Sequence, residues 1–256
     1  LGPAGDTLTV TGGRITGAIV GQSGSHDVVN FSPAASFATN GSIANVDSIN
    51  VTSATLVLQN PVTGALAVNI SPGAAVNMNA DIAAGNVNNT GMLSVGTGTP
   101  TITGSYLQLR GAAGSGTLGV TVTGPGRSGA GELKVAGVAT IQNGASAVSV
   151  HVPTGVDTFG LTGATWHVLT ANTLVVTGAL SAGSDNGGIG FGLTDTGTDL
   201  IIAAAPQTPA QIAAAAANDV ATIFGSFPDP NPGQAQARAF LAQVLAGMAG
   251  NSNISR

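Results

Sequence analysis

The chain has 256 residues, of which 7% are charged and 4% aromatic, and its formal net charge is −5. An average globular protein has about 25% charged residues, so this composition is unlike that of an ordinary cytosolic enzyme. The absence of cysteine excludes disulfides, thiolate catalysis and thiolate metal sites. The basic residues are scattered, whereas phosphate binding requires clustered Lys and Arg, so no nucleic-acid partner is expected. They are Arg14, Arg110, Arg127, Lys134, Arg238 and Arg256.

The first hundred residues contain short apolar segments separated by turn residues. The segments are "TLTV", "AIV", "DVVNF", "SINV", "TLVLQ", "LAVNI", "AVNM" and "MLSV". Val, Ile and Leu dominate each one, and Gly, Asn, Ser, Thr or Pro follows it, which is the pattern of β-strands joined by turns. No helical spacing of apolar residues runs through this region, so the sequence predicts strands throughout.

A β-sandwich, a closed barrel and a β-solenoid share this spacing of strands. The outward positions here are Thr, Ser and Asn rather than charged residues, which favours a solenoid of parallel strands whose polar side chains stack in ladders. Gly and Asn suit its corners because they tolerate positive φ. Three short strands with their turns predict about 20 to 25 residues per coil, and therefore about four or five coils in residues 1–104.

Residues 105–205 contain longer runs in which apolar and polar residues alternate, such as "TLGVTVTG", "GELKVAGVATIQ" and "ATWHVLTA". This alternation is typical of half-buried antiparallel strands. Large side chains, including Tyr106, Phe159, Trp166 and Phe191, lie in this region. The pattern predicts an antiparallel capping module that covers the terminal apolar face and the open strand edges of the solenoid.

After Pro206 the apolar period becomes helical. Thr208–Gln211 has the form of a capping box with Pro at the first helical position, and an apolar stripe follows it. A second helix is predicted to begin at Asn231 in the same way. The stripes consist of Ile212, Ala216, Val220, Ile223 and Phe224 in the first helix and Ala237, Leu241, Val244 and Met248 in the second. Residues 206–256 are therefore expected to form two short amphipathic α-helices.

Three stretches, in their order along the chain, carry a resemblance to a known family. They are "GSHDVVNFSPAASFATNGSIANVDSINV", "NNTGMLSVGTGTPTITGSYLQ" with the following "ATWHVLTA", and "QTPAQIAAAAANDVATIF". Together they resemble the membrane-proximal end of the passenger of a type V bacterial autotransporter. The first is similar to its coils, the second to the entry into its autochaperone region, and the third to its helical linker, where Ala210 replaces the usual Asn.

The resemblance implies a fold and a domain order. The fold is mainly β: a right-handed parallel β-helix over residues 1–104, an autochaperone-like capping β module over residues 105–205, and a helical linker over residues 206–256. The linker would lead to a C-terminal outer-membrane β-barrel of the parent chain, the first expected partner. Because the chain begins with Leu1 and without an apolar leader, we expect a fragment or a mature product.

The stretch "GQSGSHDVVNF", residues 21–31, resembles the calcium-binding nonapeptide of secreted β-helices. With Asp27 at the metal position, Gln22, Ser23 and Ser25 stand where the nonapeptide has glycines. Calcium requires six to eight oxygen ligands, and the sequence shows no second copy of the motif one repeat later. We therefore interpret the stretch as the turn of a coil and expect no metal site.

Two further short motifs have a structural interpretation. Asp195–Gly197 is the "DTG" of aspartic proteases, which need two such carboxylates, but the chain holds one copy between two strands and a tight turn is expected. Gly124, Gly126 and Gly129 satisfy G-x-G-x-x-G, yet strand-like "ELKVAG" follows instead of the helix that a dinucleotide site requires. We predict a hairpin loop there.

A catalytic relay of Ser149, His151 and Asp157, or one built on His167, is possible from spacing alone, because triads assemble in space. The sequence has no G-x-S-x-G elbow, and a single histidine on a strand is usually packed or exposed to solvent. Glu132 is the one glutamate of the chain, which disfavours the paired acids of a glycosidase unless an aspartate replaces the second. We expect no catalytic residue, no metal and no cofactor.

The first functional hypothesis is therefore a non-enzymatic passenger segment at the bacterial cell surface, exported through the outer membrane. It would act as a structural stalk or adhesin, with a C-terminal module that nucleates folding. Its further expected partners are a host or neighbouring cell surface, and self-association is a possibility. The alternatives are a structural subunit of an extracellular fibre or surface layer, and a β-helical enzyme that degrades polysaccharide.

Overall fold

The computed structural model describes residues 1–22, 24–111, 114–142, 147–186 and 189–205. The two α-helices predicted for residues 206–256 lie outside the described residues. Within them the chain forms β-strands, turns and one short 3-10 helix, so the prediction of a mainly β protein is confirmed.

The strands are numbered in chain order. They are β1 (Thr7–Val10), β2 (Ile19–Val20), β3 (Val28–Phe31), β4 (Phe37–Thr39), β5 (Ile43–Ala44), β6 (Ser48–Val51), β7 (Thr55–Leu58), β8 (Val62–Ile70), β9 (Ala75–Met78), β10 (Ile82–Asn89), β11 (Met92–Ser94), β12 (Thr101–Ile102), β13 (Ser105–Gln108), β14 (Arg110–Gly111), β15 (Gly114–Ser115), β16 (Thr117–Thr121), β17 (Leu133–Gln142), β18 (Val148–His151), β19 (Thr165–Thr177), β20 (Ala182–Ser184), β21 (Gly190–Asp195) and β22 (Asp199–Ala205). The 3-10 helix spans Arg127–Gly129.

Most of these strands belong to two sheets built by parallel pairing. The large sheet has the order β1-β3-β6-β8-β10-β12-β17-β19-β22-β21. In addition, β13 pairs with β10 and β17, β2 pairs with β5, and β5 pairs with β8. The small sheet has the order β20-β18-β16-β11-β9-β7-β4 and is parallel throughout. Strands β14 and β15 form a separate antiparallel hairpin. The chain therefore passes repeatedly between the two sheets and returns to each beside its previous strand.

The register of the large sheet repeats at nearly constant intervals. Val10 pairs with Phe31, Phe31 with Val51, Val51 with Ile70, and Ile70 with Asn89, so the residue number rises by 21, 20, 19 and 19. These intervals lie at or just below the lower end of the 20 to 25 residues predicted per coil. A constant interval means that equivalent side chains stack directly over one another, which extends each column from strand to strand.

The inward column is apolar from Phe31 to Ile70 and continues with the buried polar residues Asn89 and Gln108. Phe31, Val51 and Ile70 are at most 1% exposed, and Phe31 packs against Phe37 of the small sheet with ring centroids 5.9 Å apart. The two sheets therefore face each other across one continuous core.

An outward-facing column of the large sheet is an asparagine ladder. The Nδ2 group of Asn50 donates to Oδ1 of Asn30 at 2.9 Å, that of Asn69 to Asn50 at 2.8 Å, and that of Asn88 to Asn69 at 2.8 Å. Each amide thereby satisfies its neighbour's oxygen without a charge on the surface. This is the stacking of polar residues that the composition predicts.

Corners of the fold use residues at positive φ. Asn45 has φ 55° and Gly64, nineteen positions later, has φ 68°. A Cβ atom on Gly64 would lie 2.8 Å from Oδ1 of Asn45, so glycine is required there both for its backbone and for the close approach. The expectation of Gly and Asn at corners is confirmed at this position.

The prediction of antiparallel strands throughout residues 105–205 is wrong for most of that region. Strand β17 pairs in parallel with β12, β13 and β19, and β16 pairs in parallel with β11 and β18. Among the described residues of this region, antiparallel pairing is limited to β14–β15, to β19–β22–β21 and to a bridge between Val122 and Ala130. Each parallel sheet here has one outward face, so apolar and polar residues alternate just as they do in antiparallel strands.

The last strands surround the one tryptophan of the chain. Trp166 is completely buried, donates its indole N–H to the carbonyl of Gly124 at 3.0 Å, and meets Phe191 edge-on with ring centroids 6.1 Å apart. Phe191 lies on β21, at the edge of the large sheet. Of the large side chains expected here, Trp166 and Phe191 are buried at this end of the core, whereas Phe159 is exposed.

Candidate functional site

Five polar side chains converge where the last parallel strand meets the antiparallel hairpin. They are Arg127 of the 3-10 helix, Glu132 directly before β17, His167 and Thr170 on β19, and Asp199 at the start of β22. The pairing of Leu133 with Leu169 brings Glu132 beside Thr170, and the antiparallel pairing of Thr170 with Asp199 completes the group. We call these five residues the charged cluster.

Hydrogen bonds connect all members of the charged cluster. The Thr170 hydroxyl lies 2.6 Å from Oε1 of Glu132 and 2.8 Å from Oδ1 of Asp199. Nη2 of Arg127 donates to the same Glu132 oxygen at 3.0 Å, and Nδ1 of His167 lies 2.9 Å from the same Asp199 oxygen. The single proton of this hydroxyl can be donated to either carboxylate, and each carboxylate has a second, nitrogen partner.

The surroundings of the two carboxylates keep both of them anionic at neutral pH. Burial alone would raise the pKa of Glu132, but hydrogen bonds from Thr170 and Arg127 outweigh it and hold that pKa below its ordinary value. Hydrogen bonds, first from His167 and then from Thr198, lower the pKa of Asp199 from 3.8 to about 2. The hydrogen bond and charge of Glu132 raise the pKa of Arg127 in return.

The charged cluster has the components of a catalytic site, but one of its two carboxylates is buried. Glu132 and Asp199 lie on either side of one hydroxyl, and this arrangement is compatible with paired acids or with an activated threonine. Glu132, however, is only 5% exposed, and its Oε1 already accepts two hydrogen bonds. The cluster therefore joins three segments, namely the loop before β17, β19 and β22, by bonds that a substrate would have to break.

A groove lies at a corner beside the small sheet. This groove has a volume of about 620 Å³. It is lined by Pro61, Met78, Asn79, Ala80, Asp81, Val95, Gly96, Thr97, Gly98, Thr99 and Pro100. Asp81 is the one ionisable residue of this lining, and its Oδ1 accepts the backbone N–H of Thr101 at 2.7 Å. The groove offers neutral polar contacts rather than converging acids and bases.

In the calcium-like stretch, the side chain of Asp27 is fully buried. Its Oδ1 accepts the N–H of Asp6 at 2.8 Å, and its Oδ2 accepts the N–H of Gln22 at 3.0 Å and the hydroxyl of Ser25 at 2.6 Å. These hydrogen bonds, that from Ser25 first, lower the pKa of Asp27. Hydrogen-bond donors thus occupy both carboxylate oxygens.

The sequence analysis missed the acidic neighbours of Asp27. The register places Asp6 and Asp47 in the equivalent positions of the adjoining strands, so three carboxylates occupy one corner column. Asp47 is 2.9 Å from Nδ1 of His26, and the N–H of Asp47 donates to the carbonyl of Asp27 at 2.9 Å. The spacings of 21 and 20 residues are visible in the sequence only once the register is known.

The two short motifs lie where the sequence predicts them. Asp195–Gly197 forms the turn between β21 and β22, where Oδ1 of Asp195 accepts the N–H of Gly197 at 2.7 Å. The glycine motif forms a closed loop, since the N–H of Thr123 donates to the carbonyl of Gly129 at 2.7 Å and β17 follows. Neither motif has the geometry of the site it resembles.

The proposed serine relay is not assembled. His151 bonds through Nδ1 to the carboxylate of Asp185, which sequence reasoning did not select, and Asp157 accepts the N–H of Phe159 at 3.0 Å instead. His167 bonds to Asp199, which was also missed. All three histidines of the chain thus pair with an aspartate 21 to 34 residues away.

Within the described parts of the chain, no three His, Asp or Glu side chains lie close enough together to hold a metal ion. In the same residues, no helix has both the length and the apolar character that crossing a membrane would require. No protein-family model matches the chain, and a search of the curated proteins finds no match either.

Proposed function

We propose that this chain is a non-enzymatic structural segment of a bacterial surface protein, a stalk or adhesin of the autotransporter passenger type. Its parallel strands would wind as a right-handed β-helix, and residues 105–205 would act as the module that nucleates folding. We call residues 105–205 the C-terminal module. The observation that carries the proposal is the register of the large sheet, which advances by 19 to 21 residues from β1 to β10.

Such a register supports a template mechanism. When each new strand lies directly over the equivalent strand before it, it buries its apolar face against a surface that is already formed. The inward residues Phe31, Val51 and Ile70 form one such column, and the small sheet repeats the arrangement through Leu56, Val76 and Leu93. A rod of this kind gains length without requiring a larger core.

Specific contacts in the C-terminal module support its proposed role as a folding nucleus. Trp166 is fully buried against Gly124 and Phe191, and Tyr106 is fully buried between Asn89 and Gln108. Bulky and hydrogen-bonded side chains fix one arrangement, whereas repeated valines accept several.

The surface also fits an exported stalk. The asparagine ladder and the neighbouring Ser and Thr positions leave a neutral polar face with few charges. The partners in this proposal are the outer-membrane barrel of the parent chain on the C-terminal side and a host or neighbouring cell surface. Proteolysis of intact cells that carry the parent protein tests the location: the proposal requires cleavage of the coils without lysis.

The folding role is tested by two matched leucine truncations in the full chain. Leu118 on β16 and Leu56 on β7 are at most 1% exposed, and both belong to the small sheet. We expect Leu118→Ala to slow refolding about tenfold, because it weakens the nucleus, and Leu56→Ala mainly to speed unfolding. Stopped-flow fluorescence of Trp166 measures both rates. Equal refolding rates in the two variants, or a slower Leu56→Ala variant, would contradict the nucleating role.

A second candidate is a subunit of an extracellular fibre or layer, which the open strand edges favour. Strands β1 and β4 are the terminal strands of the two sheets at the same end of the chain, and each pairs with one neighbouring strand, although Thr39 of β4 also forms an isolated bridge with Ile15. Exposed edges pair readily with other chains. Static light scattering over a range of concentrations separates the candidates, because a fibre subunit grows in mass with concentration and a stalk segment stays monomeric.

A further inference from the structure

The last strand of the large sheet, β21, runs in the same direction as the parallel strands that precede the final hairpin. Strands β1 to β19 along the order of this sheet are parallel to one another, β22 is antiparallel to β19, and β21 is antiparallel to β22. The two reversals restore the original direction, so β21 is parallel to β1. Within the described residues, β21 pairs with β22 alone.

Inward residues of the repeats direct their backbone towards the following strand. The carbonyls of Val10, Phe31 and Val51 each accept an N–H from the following repeat at 2.9 Å. A strand that continues this pattern must therefore carry its free N–H and C=O groups on residues whose side chains face the core.

Strand β21 meets this requirement. The N–H of Thr196 donates to the carbonyl of Asp199 at 3.0 Å, and bonding residues alternate along an antiparallel pair. The even-numbered residues of β21 therefore bond to β22, whereas Phe191 and Leu193 direct their N–H and C=O groups away from it. Phe191 is buried and Leu193 packs against the core. We call the outward backbone groups of Phe191 and Leu193 the C-terminal edge.

Strand β1 has the complementary arrangement at the other end of the sheet. The carbonyls of Asp6 and Val10 accept N–H groups from the strand β3 side at 2.8 and 2.9 Å, so the even-numbered residues bond to β3. Thr7 and Thr9 therefore direct their N–H and C=O groups away from β3, and their side chains are exposed. We call the outward backbone groups of Thr7 and Thr9 the N-terminal edge.

The two edges fit each other in one register. With Phe191 opposite Leu8 and Leu193 opposite Val10, the N–H of Thr9 would meet the carbonyl of Phe191, and the N–H of Leu193 would meet the carbonyl of Thr9. Inward side chains then face inward side chains, and Leu8 and Leu193, which are only partly buried, would cover each other. A shift of one residue would oppose free groups with occupied ones and turn apolar side chains outward.

Charges at the two ends are complementary. Arg14 is the one basic residue before Arg110, it is exposed, and among the described residues it forms no ion pair. The same register places the exposed Asp195 opposite Gly12, two residues before Arg14. An exposed pair of this kind adds little affinity but favours one direction and register of approach.

We propose that the C-terminal edge of one copy of this chain binds the N-terminal edge of a second copy, so that the two large sheets continue end to end as one parallel sheet. The contact joins different surfaces of the two copies, so it leaves one free edge at each end and can continue into a filament. The inference rests on the second candidate of the proposed function, the fibre subunit, and names the interface through which that subunit would grow.

A matched pair of variants of the full chain, Thr9→Pro and Thr9→Val, tests the edge itself. Proline removes the outward N–H of Thr9 while the pairing of β1 with β3, which does not use this N–H, is kept. Valine keeps the N–H. We expect Thr9→Pro to weaken self-association about tenfold, because at least one hydrogen bond of the interface is lost, and Thr9→Val to associate like the wild type. Sedimentation velocity over a range of concentrations measures the association.

The register is tested by disulfide formation between two singly substituted chains, since the natural chain has no cysteine. Thr9→Cys is mixed with Gly192→Cys, its partner in the proposed register, where a Cβ atom has 3.9 Å to its nearest neighbour, the carbonyl oxygen of Ala203. The control mixture combines Thr9→Cys with Asn86→Cys, which is exposed on β10 in the interior of the sheet. We expect mixed dimers to form about tenfold faster with Gly192→Cys, because the interface holds the two sulfurs within bonding distance.

The outcomes separate this inference from the function on which it rests. A mass that is independent of concentration would overturn both the end-to-end interface and the fibre subunit. If the mass grows with concentration but Thr9→Pro associates like Thr9→Val, or Asn86→Cys cross-links as fast as Gly192→Cys, the fibre subunit stands and the end-to-end interface is overturned.

Discussion

Removal of the charge from Asp199 tests whether the charged cluster stabilises the C-terminal end. The pKa of this carboxyl falls from 3.8 to about 2 in the folded chain, chiefly through the hydrogen bond with His167. At about 1.36 kcal/mol per pKa unit, the charged form contributes at most about 2.5 kcal/mol to folding. The Asp199 side chain is 21% exposed, so solvent screens part of this energy and we expect Asp199→Asn to lose about 1 to 2 kcal/mol at pH 7.

The sign of the pH dependence follows from the lowered pKa. Because folding favours the anion of Asp199, its contribution is fully present above the ordinary pKa of 3.8 and is lost as the pH falls through about 2. The difference between wild type and Asp199→Asn should therefore shrink at pH 3 to about half of its value at pH 7. Acids outside the charged cluster titrate equally in both proteins, so the difference reports on Asp199 and its partners in the cluster.

The assay is equilibrium denaturation followed by the fluorescence of Trp166, which is fully buried beside this cluster and is the one tryptophan of the chain. The matched control is Asp195→Asn in the turn of the same hairpin, where an amide oxygen can still accept the N–H of Gly197. We expect the control to lose less than about 0.5 kcal/mol at either pH. A loss in Asp199→Asn that is equal at pH 7 and pH 3 would refute the electrostatic explanation.

Three further changes test the packing, each by equilibrium denaturation. Tyr106→Phe should lose about 1 to 3 kcal/mol, because it leaves Oε1 of the buried Gln108 without its hydrogen bond; no measurable loss would contradict the network. Asn69→Ala, which breaks the ladder on both sides, should lose about 1 to 2 kcal/mol, whereas Asn86→Ala on the exposed face of β10 should be neutral. Gly104→Ala would place a Cβ atom 2.1 Å from the carbonyl oxygen of Ala84, so we expect a loss of more than about 3 kcal/mol; Gly12→Ala, with nothing within 4 Å, is its control.

The strands could be predicted from the sequence because their signal is local. "SINV" and "AVNM" coincide with β6 and β9, and their boundaries follow from Val, Ile or Met next to turn residues. The length of the repeat was also predictable to within a few residues, since strand and turn lengths vary little. The direction of the strands in residues 105–205 was not predictable, because a parallel strand with one solvent-exposed face shows the same alternation of apolar and polar residues as an antiparallel strand.

The partners of the ionisable residues were not predictable for a different reason. His151 meets Asp185 and His167 meets Asp199 only because connections of more than 30 residues bring particular strands together in one register. A shift of one residue would turn either side chain to the opposite face of its sheet. The sequence signal closest to the charged cluster was the single glutamate, Glu132, in a chain with few charges.

The distribution of unique contacts gives a physical reason for the folding nucleus that we propose in residues 105–205. In residues 1–104, Asn30, Asn50 and Asn69 occupy equivalent positions, so a strand displaced by one whole repeat would find almost the same partners. In the described residues of 105–205, Trp166 donates to the carbonyl of Gly124 and Thr170 contacts both Glu132 and Asp199, and these contacts fix one arrangement. A chain that folds residues 105–205 first would fix the register before any repeated column forms. Each later repeat would then have one template on which to add. If the N-terminal coils formed first, misregistered states of similar energy would compete with the native one.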